Sequence, residues 1–150
     1  MPPIICFEDL TVGEPMPPLT KEPIDIDQLV RYAGASGDFN PIHIDPSVGE
    51  AAGLGGVIAH GMLIMGFMGE AVTNWIPNFC LKKIKARFIG ITRPGDIITI
   101  SGKVIEKKES DNRIVCSLAA KDQHGELKIK GSFEAQLPSK YSNQQPMKGA

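Results

Sequence analysis

The chain has 150 residues, 42% of them hydrophobic, and its 16 basic and 17 acidic side chains give a formal net charge of -1. This length and apolar content suit one domain with a real core and leave no room for two catalytic domains. The near-neutral balance, with both signs interspersed, carries no electrostatic footprint for nucleic acid or for an anionic membrane. We expect a single domain over residues 1–137 and a disordered tail over residues 138–150, which are polar and lack periodicity.

The cysteines and the N-terminal sequence indicate the cellular compartment of the protein. Cys6, Cys80 and Cys116 are odd in number, widely separated and without metal-ligand spacing. They argue against a disulfide framework and against zinc. The N-terminus lacks the basic region and long apolar run of a secretory signal, so a reducing cytoplasm is the expected location.

The first part of the chain predicts an extended arm and then a helix. Residues 1–24 are rich in proline, which cannot donate to a ladder, so this arm holds short edge strands at most. Asp25 or Asp27 can cap the helix that follows, and its end falls within residues 34–37. Its apolar pattern predicts burial of Ile26, Leu29, Val30 and Ala33.

Residues 61–75 form a second, more apolar helix, whose strongly polar members are Glu70, Thr73 and Asn74. A helix that is apolar on nearly all sides is expected to be buried nearly all round. It is too short and too interrupted by glycine for a membrane span, which needs about 20 apolar residues. One central helix of this kind needs a sheet curved around it.

Four runs rich in Ile, Val, Phe and Thr predict strands over residues 84–91, 96–107, 113–121 and 127–137. The short joints between them hold turn residues, which indicates an antiparallel meander. With a further strand from the arm and the helix in its concave face, this is an α+β domain. One sheet around one helix leaves an edge and a helix side uncovered, so self-association is expected.

The candidate catalytic residues lie between the two helices. Residues 37–43 read G-D-F-N-P-I-H, which places a carboxylate, an amide and an imidazole within six residues, as Asp38, Asn40 and His43. Gly37 is typical of a helix end, and Pro41 pushes its predecessor toward an extended conformation, so we predict an irregular loop. Such a loop can fold the acid and the imidazole toward one another.

Two interpretations of this loop are open. A carboxylate and a histidine on one loop can handle a water molecule, because imidazole titrates near neutrality. The same residue types also cap backbone groups in turns, and composition alone favours that role for Asp38 and Asn40, while His43 stays open. The apolar neighbours Phe39 and Ile42 indicate that the loop sits on a core, which shifts the balance toward function.

The wider sequence around this loop resembles a known family. The string at residues 37–43, preceded by Y-A-G-A-S and followed at residues 58–62 by I-A-H-G-M, resembles the MaoC-like (R)-specific enoyl-thioester hydratases and dehydratases of the hot-dog fold. The resemblance runs from residue 7 to about residue 137. A lone G-D pair carries no information, whereas the whole string followed at this distance by A-H-G is specific. It implies a hot-dog fold, in which an antiparallel curved sheet wraps a central helix at about residues 61–75.

The resemblance also implies a reaction and a set of roles. The chain would add water to a trans-2-enoyl thioester to give an (R)-3-hydroxyacyl thioester, or catalyse the reverse. His43 would be the general base that takes a proton from water, and Asp38 would orient the water and deliver the proton to Cα. Gly61 matches the residue whose backbone N–H meets the thioester oxygen, at the positive end of a helix dipole. Asn40 would support the loop by hydrogen bonding, and His60 would fix the turn before the helix.

Partners and cofactors follow from the same resemblance. The substrate would carry coenzyme A or the phosphopantetheine of an acyl carrier protein, so no cofactor and no metal are expected. The family pairs two such domains edge to edge with a pocket at the interface, which implies a homodimer or a higher even oligomer. Some relatives carry a serine in the middle of the helix that lines the site. Gly69 stands at the aligned position here, which leaves that contact and the shape of the acyl pocket open.

Two alternatives share these features. A hot-dog thioesterase also needs a carboxylate and an oxyanion donor at a helix end, but the spacing of the histidine after the aspartate favours hydration. A non-catalytic subunit that binds acyl groups or completes a heterodimer is the other alternative. Because Asp38 and His43 are both present, this chain would be the catalytic member of such a pair.

Overall fold

The computed structural model describes residues 3–142, which form one sheet and three α-helices. In chain order the elements are β1 (Leu19–Thr20), α1 (Ile26–Ser36), α2 (Pro46–Ala51), α3 (Gly61–Trp75), β2 (Leu81–Phe88), β3 (Thr99–Lys108), β4 (Arg113–Lys121) and β5 (Leu127–Gln136). Within these residues, no helix has both the length and the hydropathy that a bilayer crossing requires.

Helix α1 forms where the sequence predicts it and has a cap at each end. The Asp25 carboxylate accepts the backbone N–H of Gln28 at 2.7 Å, which satisfies one of the unpaired first-turn amides. Gly37 ends the helix with φ of 76°, a left-handed conformation that glycine adopts without strain. Leu29 and Ala33 are buried as predicted, but Ile26 and Val30 are exposed.

The five strands are antiparallel and lie in the order β1-β3-β4-β5-β2. The predicted meander is correct for β3, β4 and β5 and wrong for β2, which pairs with β5 at the far edge, where Ile84 lies opposite Phe133. The strand also ends three residues earlier than predicted. Ile89 and Gly90 both donate to the carbonyl of Lys128, so the regular ladder stops there and the chain is free to cross to β3.

The core lies between α3 and the concave face of the sheet, which agrees with the predicted α+β hot-dog architecture. Strand β4 alternates strictly, with every second side chain fully buried against the helix. The inward residues of β4 are Ile114, Cys116, Leu118 and Ala120, and those of α3 are Leu63, Ile64, Phe67, Met68, Ala71 and Val72.

The prediction that α3 is buried on nearly all sides is wrong for the single chain. Its outer face is open: Met62 is 55% exposed, and Gly66 and Thr73 are also exposed. The physical reason is that the sheet curls around only one side of the helix. The other side therefore remains available to a second body.

The C-terminal segment touches the N-terminal arm. Phe7 donates its backbone N–H to the carbonyl of Pro138, and the Ser139 hydroxyl donates to the Glu8 carboxylate at 2.6 Å. Lys140 pairs with Asp9. These contacts concern residues 138–142, and residues 143–150 of the predicted disordered tail lie outside the described residues.

Tight coiling of the sheet around α3 depends on Gly131 in β5. A methyl group at this position would overlap the backbone carbonyl oxygen of Lys85 and lie 3.3 Å from the terminal methyl of Met68. We expect Gly131→Ala to lower the free energy of unfolding by about 1–3 kcal/mol, the usual cost of overpacking. Urea denaturation measures it.

Gly34 provides the matched control. It lies in α1, and nothing is found within 4 Å of the position its Cβ would take. Gly34→Ala should therefore raise stability by up to about 1 kcal/mol through helix propensity. Equal effects of the two substitutions would contradict the close approach of β5 to β2.

Candidate active site

The loop after α1 is shaped by its own short polar side chains. The backbone N–H of Asp38 points to the Ser36 hydroxyl at 3.2 Å, and Asp38 Oδ1 accepts the backbone N–H of Asn40 at 3.2 Å. Asn40 Oδ1 in turn accepts the backbone N–H of Ile42 at 3.3 Å. These local bonds engage one oxygen of the Asp38 carboxylate and leave Oδ2 facing His43.

His43 closes a 3₁₀ turn at Pro41–His43, and its ring is buried. Its Nδ1 lies 2.8 Å from the carbonyl oxygen of Ile58. A carbonyl can only accept, so Nδ1 carries the hydrogen and a neutral ring presents its lone pair at Nε2. Nε2 lies 3.6 Å from Asp38 Oδ2, too far for a direct hydrogen bond. Two acceptors thus face each other across a gap that a shared proton donor can fill.

His60, immediately before α3, braces this pair. Its Nε2 lies 3.1 Å from the backbone carbonyl oxygen of Asp38, so Nε2–H is the donor. Its ring stacks on His43, with centroids 3.8 Å apart and planes 23° apart, and meets the edge of Tyr32 at 4.8 Å. One buried imidazole therefore connects α1, the Asp38 loop and the start of α3.

The surroundings of His60 hold it neutral. Burial is the main cause that lowers its pKa, the positive charge of a protonated His43 acts in the same direction, and the hydrogen bond to the Asp38 carbonyl opposes them. Its Nδ1 is a buried acceptor without a hydrogen-bond partner among the described residues. A neutral His60 spares the site a second imidazolium stacked on His43.

The first turn of α3 supplies a backbone N–H group that has no backbone acceptor among the described residues. Gly61 is its first residue, and its N–H finds no backbone acceptor within the described residues, as is usual for first-turn amides. A Cβ at Gly61 would lie 2.9 Å from the ring of Phe88, so only glycine lets this ring approach. A cavity of about 190 Å³ opens beside Gly61. Its main lining residues are Ile58, Gly61, Ile64, Phe88, Ile91 and Ile129.

The three side chains Asp38, His43 and His60 could in principle hold a metal, since they offer ligand atoms within 4.8 Å of one another. The stacking of the two rings opposes this. A metal ion binds imidazole in the plane of the ring, and two nearly parallel rings 3.8 Å apart cannot both point to one ion. His60 Nε2 is also already used as a donor to a carbonyl. The donor set in this arrangement does not fit a metal.

The structure brings together most of the residues that the sequence singled out. Asp38, His43 and His60 form one cluster, and Gly61 follows directly. Asn40 instead turns its side chain back into its own loop. Asp38 is half exposed, and the cavity beside Gly61 is not lined by Asp38 or His43.

Sequence reasoning missed three contributors, which are Tyr32, the carbonyl of Ile58 and the Phe88 ring. Tyr32 precedes the loop in the Y-A-G-A-S string and could have been suspected from that position. Ile58 acts through its backbone, and Phe88 lies 27 residues beyond Gly61 at the end of another element, so neither left a local signal.

Comparisons with known proteins identify the family and the fold of this chain. Residues 9–124 match the model of the MaoC like domain family. The chain is 29% identical over 142 residues to an (R)-specific enoyl-CoA hydratase of Rhodospirillum rubrum. The aligned region covers 89% of the present chain and 92% of that hydratase. The fold of the present chain matches that of the unliganded R-Hydratase PhaJ1 of Pseudomonas aeruginosa with a TM-score of 0.81 and 27% identity. The match covers 91% of the present chain and 88% of the PhaJ1 chain.

Other relatives are much longer. The chain is 35% identical over 97 residues, 65% of its length, to a peroxisomal hydratase-dehydrogenase-epimerase of Neurospora crassa. It spans only 10% of that protein, and 6% and 4% of two further long relatives. The family match, by contrast, extends over more than half of the present chain and includes the Asp38 loop and the start of α3. This chain therefore belongs to the MaoC-like domain family.

Proposed function

We propose that this chain is a hydro-lyase that interconverts trans-2-enoyl thioesters and (R)-3-hydroxyacyl thioesters. The observation that carries the proposal is the 2.8 Å contact between His43 Nδ1 and the Ile58 carbonyl oxygen, from which the tautomer of the ring follows. Because Nδ1–H donates to Ile58, the lone pair of Nε2 faces Asp38 Oδ2 at 3.6 Å, beside the first turn of α3. Two acceptors aimed at one gap suit a water molecule that must be held and deprotonated.

The water would donate one hydrogen to His43 Nε2 and the other to Asp38 Oδ2, which leaves an oxygen lone pair free for attack. As that oxygen bonds to Cβ of the enoyl thioester, Nε2 takes the first proton as general base. The electrons of the double bond move toward the thioester carbonyl and give an enolate. The attack needs no oxidant or reductant, so the reaction requires no redox cofactor.

The enolate oxygen would be stabilised by the backbone N–H of Gly61. This amide lies at the N-terminus of α3, where unpaired N–H groups and the helix dipole favour negative charge. The new hydroxyl still lies between the two groups, so it gives its remaining proton to Asp38 as it takes back one from His43. Asp38 then delivers its proton to Cα, and both side chains return to their starting charge. Because one loop carries both groups, the two additions occur on the same face of the substrate.

His60 and Asn40 would act through the loop. His60 holds the Asp38 backbone at 3.1 Å and stacks on the base, and Asn40 fixes the turn that carries His43.

The acyl chain would enter the apolar cavity beside Gly61, and the carrier is coenzyme A or an acyl carrier protein. The three cysteines are free, as expected for the reducing, cytoplasmic location that we propose.

We further propose that the functional unit is a homodimer or a multiple of it. Strand β2 lies at an edge of the sheet and is eight residues long, and an unprotected edge of that length invites another strand. The open face of α3 lies on the concave side of the same sheet. A second copy could cover both features.

Replacing either member of the pair tests the chemistry. We expect Asp38→Asn and His43→Gln each to lower kcat for crotonyl-CoA hydration by about 10²- to 10⁴-fold, the usual contribution of a general acid or base. Asp25→Asn is the matched control, because it makes the same change at the cap of α1, where asparagine also caps. Loss of crotonyl absorbance measures turnover, and a thiol-trapping dye detects any thioesterase activity.

The circular dichroism spectra of the variants should match that of the wild type. A kcat of Asp38→Asn or His43→Gln within a few-fold of the wild-type value would refute the roles assigned here. Release of free thiol at the rate of substrate loss would replace hydration by thioester hydrolysis.

Native mass tests the assembly. The chain has a mass of 16.2 kDa, and we expect a particle of twice that mass or an even multiple in light scattering. Gly66→Arg should shift the protein toward the single-chain mass, because Gly66 lies on the open face of α3 with nothing within 4 Å of its Cβ position. A wild-type protein of single-chain mass at micromolar concentration would contradict the dimer.

A further inference from the structure

The outer, convex face of the sheet carries positive side chains at one end. The buried side chains of β4 are those of even number, so Ser117, Ala119 and Lys121 project outward. Residues that lie opposite each other in paired strands project to the same side of a sheet. The strand register therefore builds two outward rows. One row holds Arg87, Lys130, Ala119 and Ser101, and the next holds Lys85, Ser132, Ser117 and Lys103.

Five cations lie in and beside these rows and form what we call the cationic end of the convex face. They are Lys85, Arg87, Lys103, Lys121 and Lys130, all of them exposed. Neither row contains a carboxylate, and none of the five side chains forms an ion pair among the described residues. Four strands spaced about 4.8 Å apart make the cationic end about 14 Å wide. That width exceeds the size of a single phosphate group.

The acidic strand residues of this face lie at its other end. Glu106 and Glu134 both lie opposite Val115, and Glu134 pairs with Arg113 at 3.2 Å. The formal net charge of -1 for the whole chain therefore hides a sheet whose outer face is strongly polarised. Clustered cations with no acid between them attract an anionic body over about one Debye length, about 10 Å at 0.1 M salt.

A shallow trough of about 400 Å³ lies between these cations. Three of the five cations line it, and its lining includes the small residues Ser101, Gly102, Ser117 and Ala119. Short side chains let a helix approach the strands closely, while lysines beside it can pair with acidic side chains of that helix. None of the lining residues is aromatic, so the trough offers no ring on which an adenine base could stack. Its shape and charge fit an acidic helix better than a nucleotide.

The cationic end adjoins the candidate site. Arg87 and Phe88 are consecutive in β2, so their side chains lie on opposite faces of the sheet, and Phe88 is the ring that covers Gly61. A groove of about 600 Å³ lies around the end of β2 and the start of β5. It shares Leu127 with the trough and Gly90 with the cavity beside Gly61. Trough, groove and cavity thus follow one another around the end of the sheet.

This route matches the length and the chemistry of a carrier arm. Phosphopantetheine has about 13 bonds between its sulfur and its phosphorus, which extend to about 15 Å at the spacing of a stretched peptide chain. The distance from one side-chain layer of a sheet to the other is about 10 Å. The arm also carries two amides and a hydroxyl, and the groove is lined by Arg93, His124 and Lys128, whose polar atoms can bind them.

We propose that the cationic end of the convex face docks an acidic helix of an acyl carrier protein, whose phosphopantetheine arm follows the groove around the end of β2 to Gly61. The inference rests on the proposed function and chooses between the two carriers that it leaves open. It assigns recognition of the carrier protein to Lys103, Lys121 and Lys130, which take no part in the chemistry.

Charge reversal in the trough tests this assignment. We expect Lys121→Glu and Lys130→Glu each to lower kcat/KM for a crotonyl-loaded bacterial acyl carrier protein about tenfold, mainly through KM, because attraction becomes repulsion. The kcat/KM for crotonyl-CoA should change less than about twofold, since coenzyme A has no acidic helix. Lys108→Glu is the matched control. It makes the same change on the same face, about 17 Å along β3 from Lys103.

Three results would overturn the inference. The first is an equal loss with both substrates, because the lysines would then bind phosphates that the two carriers share. The second is a wild-type kcat/KM that is no higher for the carrier protein than for crotonyl-CoA. The third is an effect of Lys108→Glu as large as that of Lys121→Glu. Hydration of crotonyl-CoA by the wild type tests the proposed function separately, so the two failures give different results.

Binding of the carrier protein without an acyl group tests docking without turnover. Fluorescence anisotropy of a labelled bacterial holo-acyl carrier protein should show a Kd that rises about fivefold or more between about 50 mM and about 300 mM salt. Lys121→Glu should weaken this binding at low salt, and Lys108→Glu should leave it unchanged. Vesicles of phosphatidylglycerol and a short DNA duplex are the comparison ligands. Equally tight binding of either ligand, or no binding of the carrier protein, would overturn the proposed docking.

Discussion

The hydrogen bond from His43 Nδ1 to the Ile58 carbonyl, 2.8 Å long, is the interaction on which the site depends. It sets the tautomer of the imidazole and therefore the direction of its free lone pair. The bond is itself well supported, because Ile58 donates its backbone N–H to Ile42 and Ala59 donates to Thr92. The extended segment before α3 thus lies between the Asp38 loop and the chain that leaves β2. Any change in the register of this segment would move the His43 ring and the Gly61 amide together.

The ring of His60 can pack against the ring of His43 because His60 is neutral. Two stacked rings 3.8 Å apart would repel strongly if both were charged in a buried setting. The burial that lowers the pKa of His60 avoids this, and Nε2–H remains available for the Asp38 carbonyl. The cost is an acceptor at Nδ1 that has no partner among the described residues. His60 thus positions the Asp38 loop, while its own Nδ1 stays without a hydrogen bond.

The features that sequence predicted are those encoded over a few residues. The cap at Asp25, the helix end at Gly37 and the Asp38 loop depend on side chains that act on backbone groups close by. The pairing of β2 with β5 and the approach of Phe88 to Gly61 depend on distant segments that meet only when the sheet curls. Local patterns cannot specify such contacts. The meander was expected because strands that are adjacent in sequence were assumed to be adjacent in the sheet, whereas β2 pairs with β5.

In the single chain, the rim of the candidate site is open to solvent. Asp38 is half exposed, and the apolar side chains of Phe39, Met62 and Phe88 around the start of α3 are exposed as well. A water held between a carboxylate and an imidazole is held more tightly, and the enolate is better stabilised, when bulk solvent is excluded. The proposed second copy would bury the apolar surface of this rim, so the contact that stabilises the dimer would also exclude bulk water from the site. The exposed edge of β2 and the exposed rim of the site are thus two features that the proposed second copy would cover together.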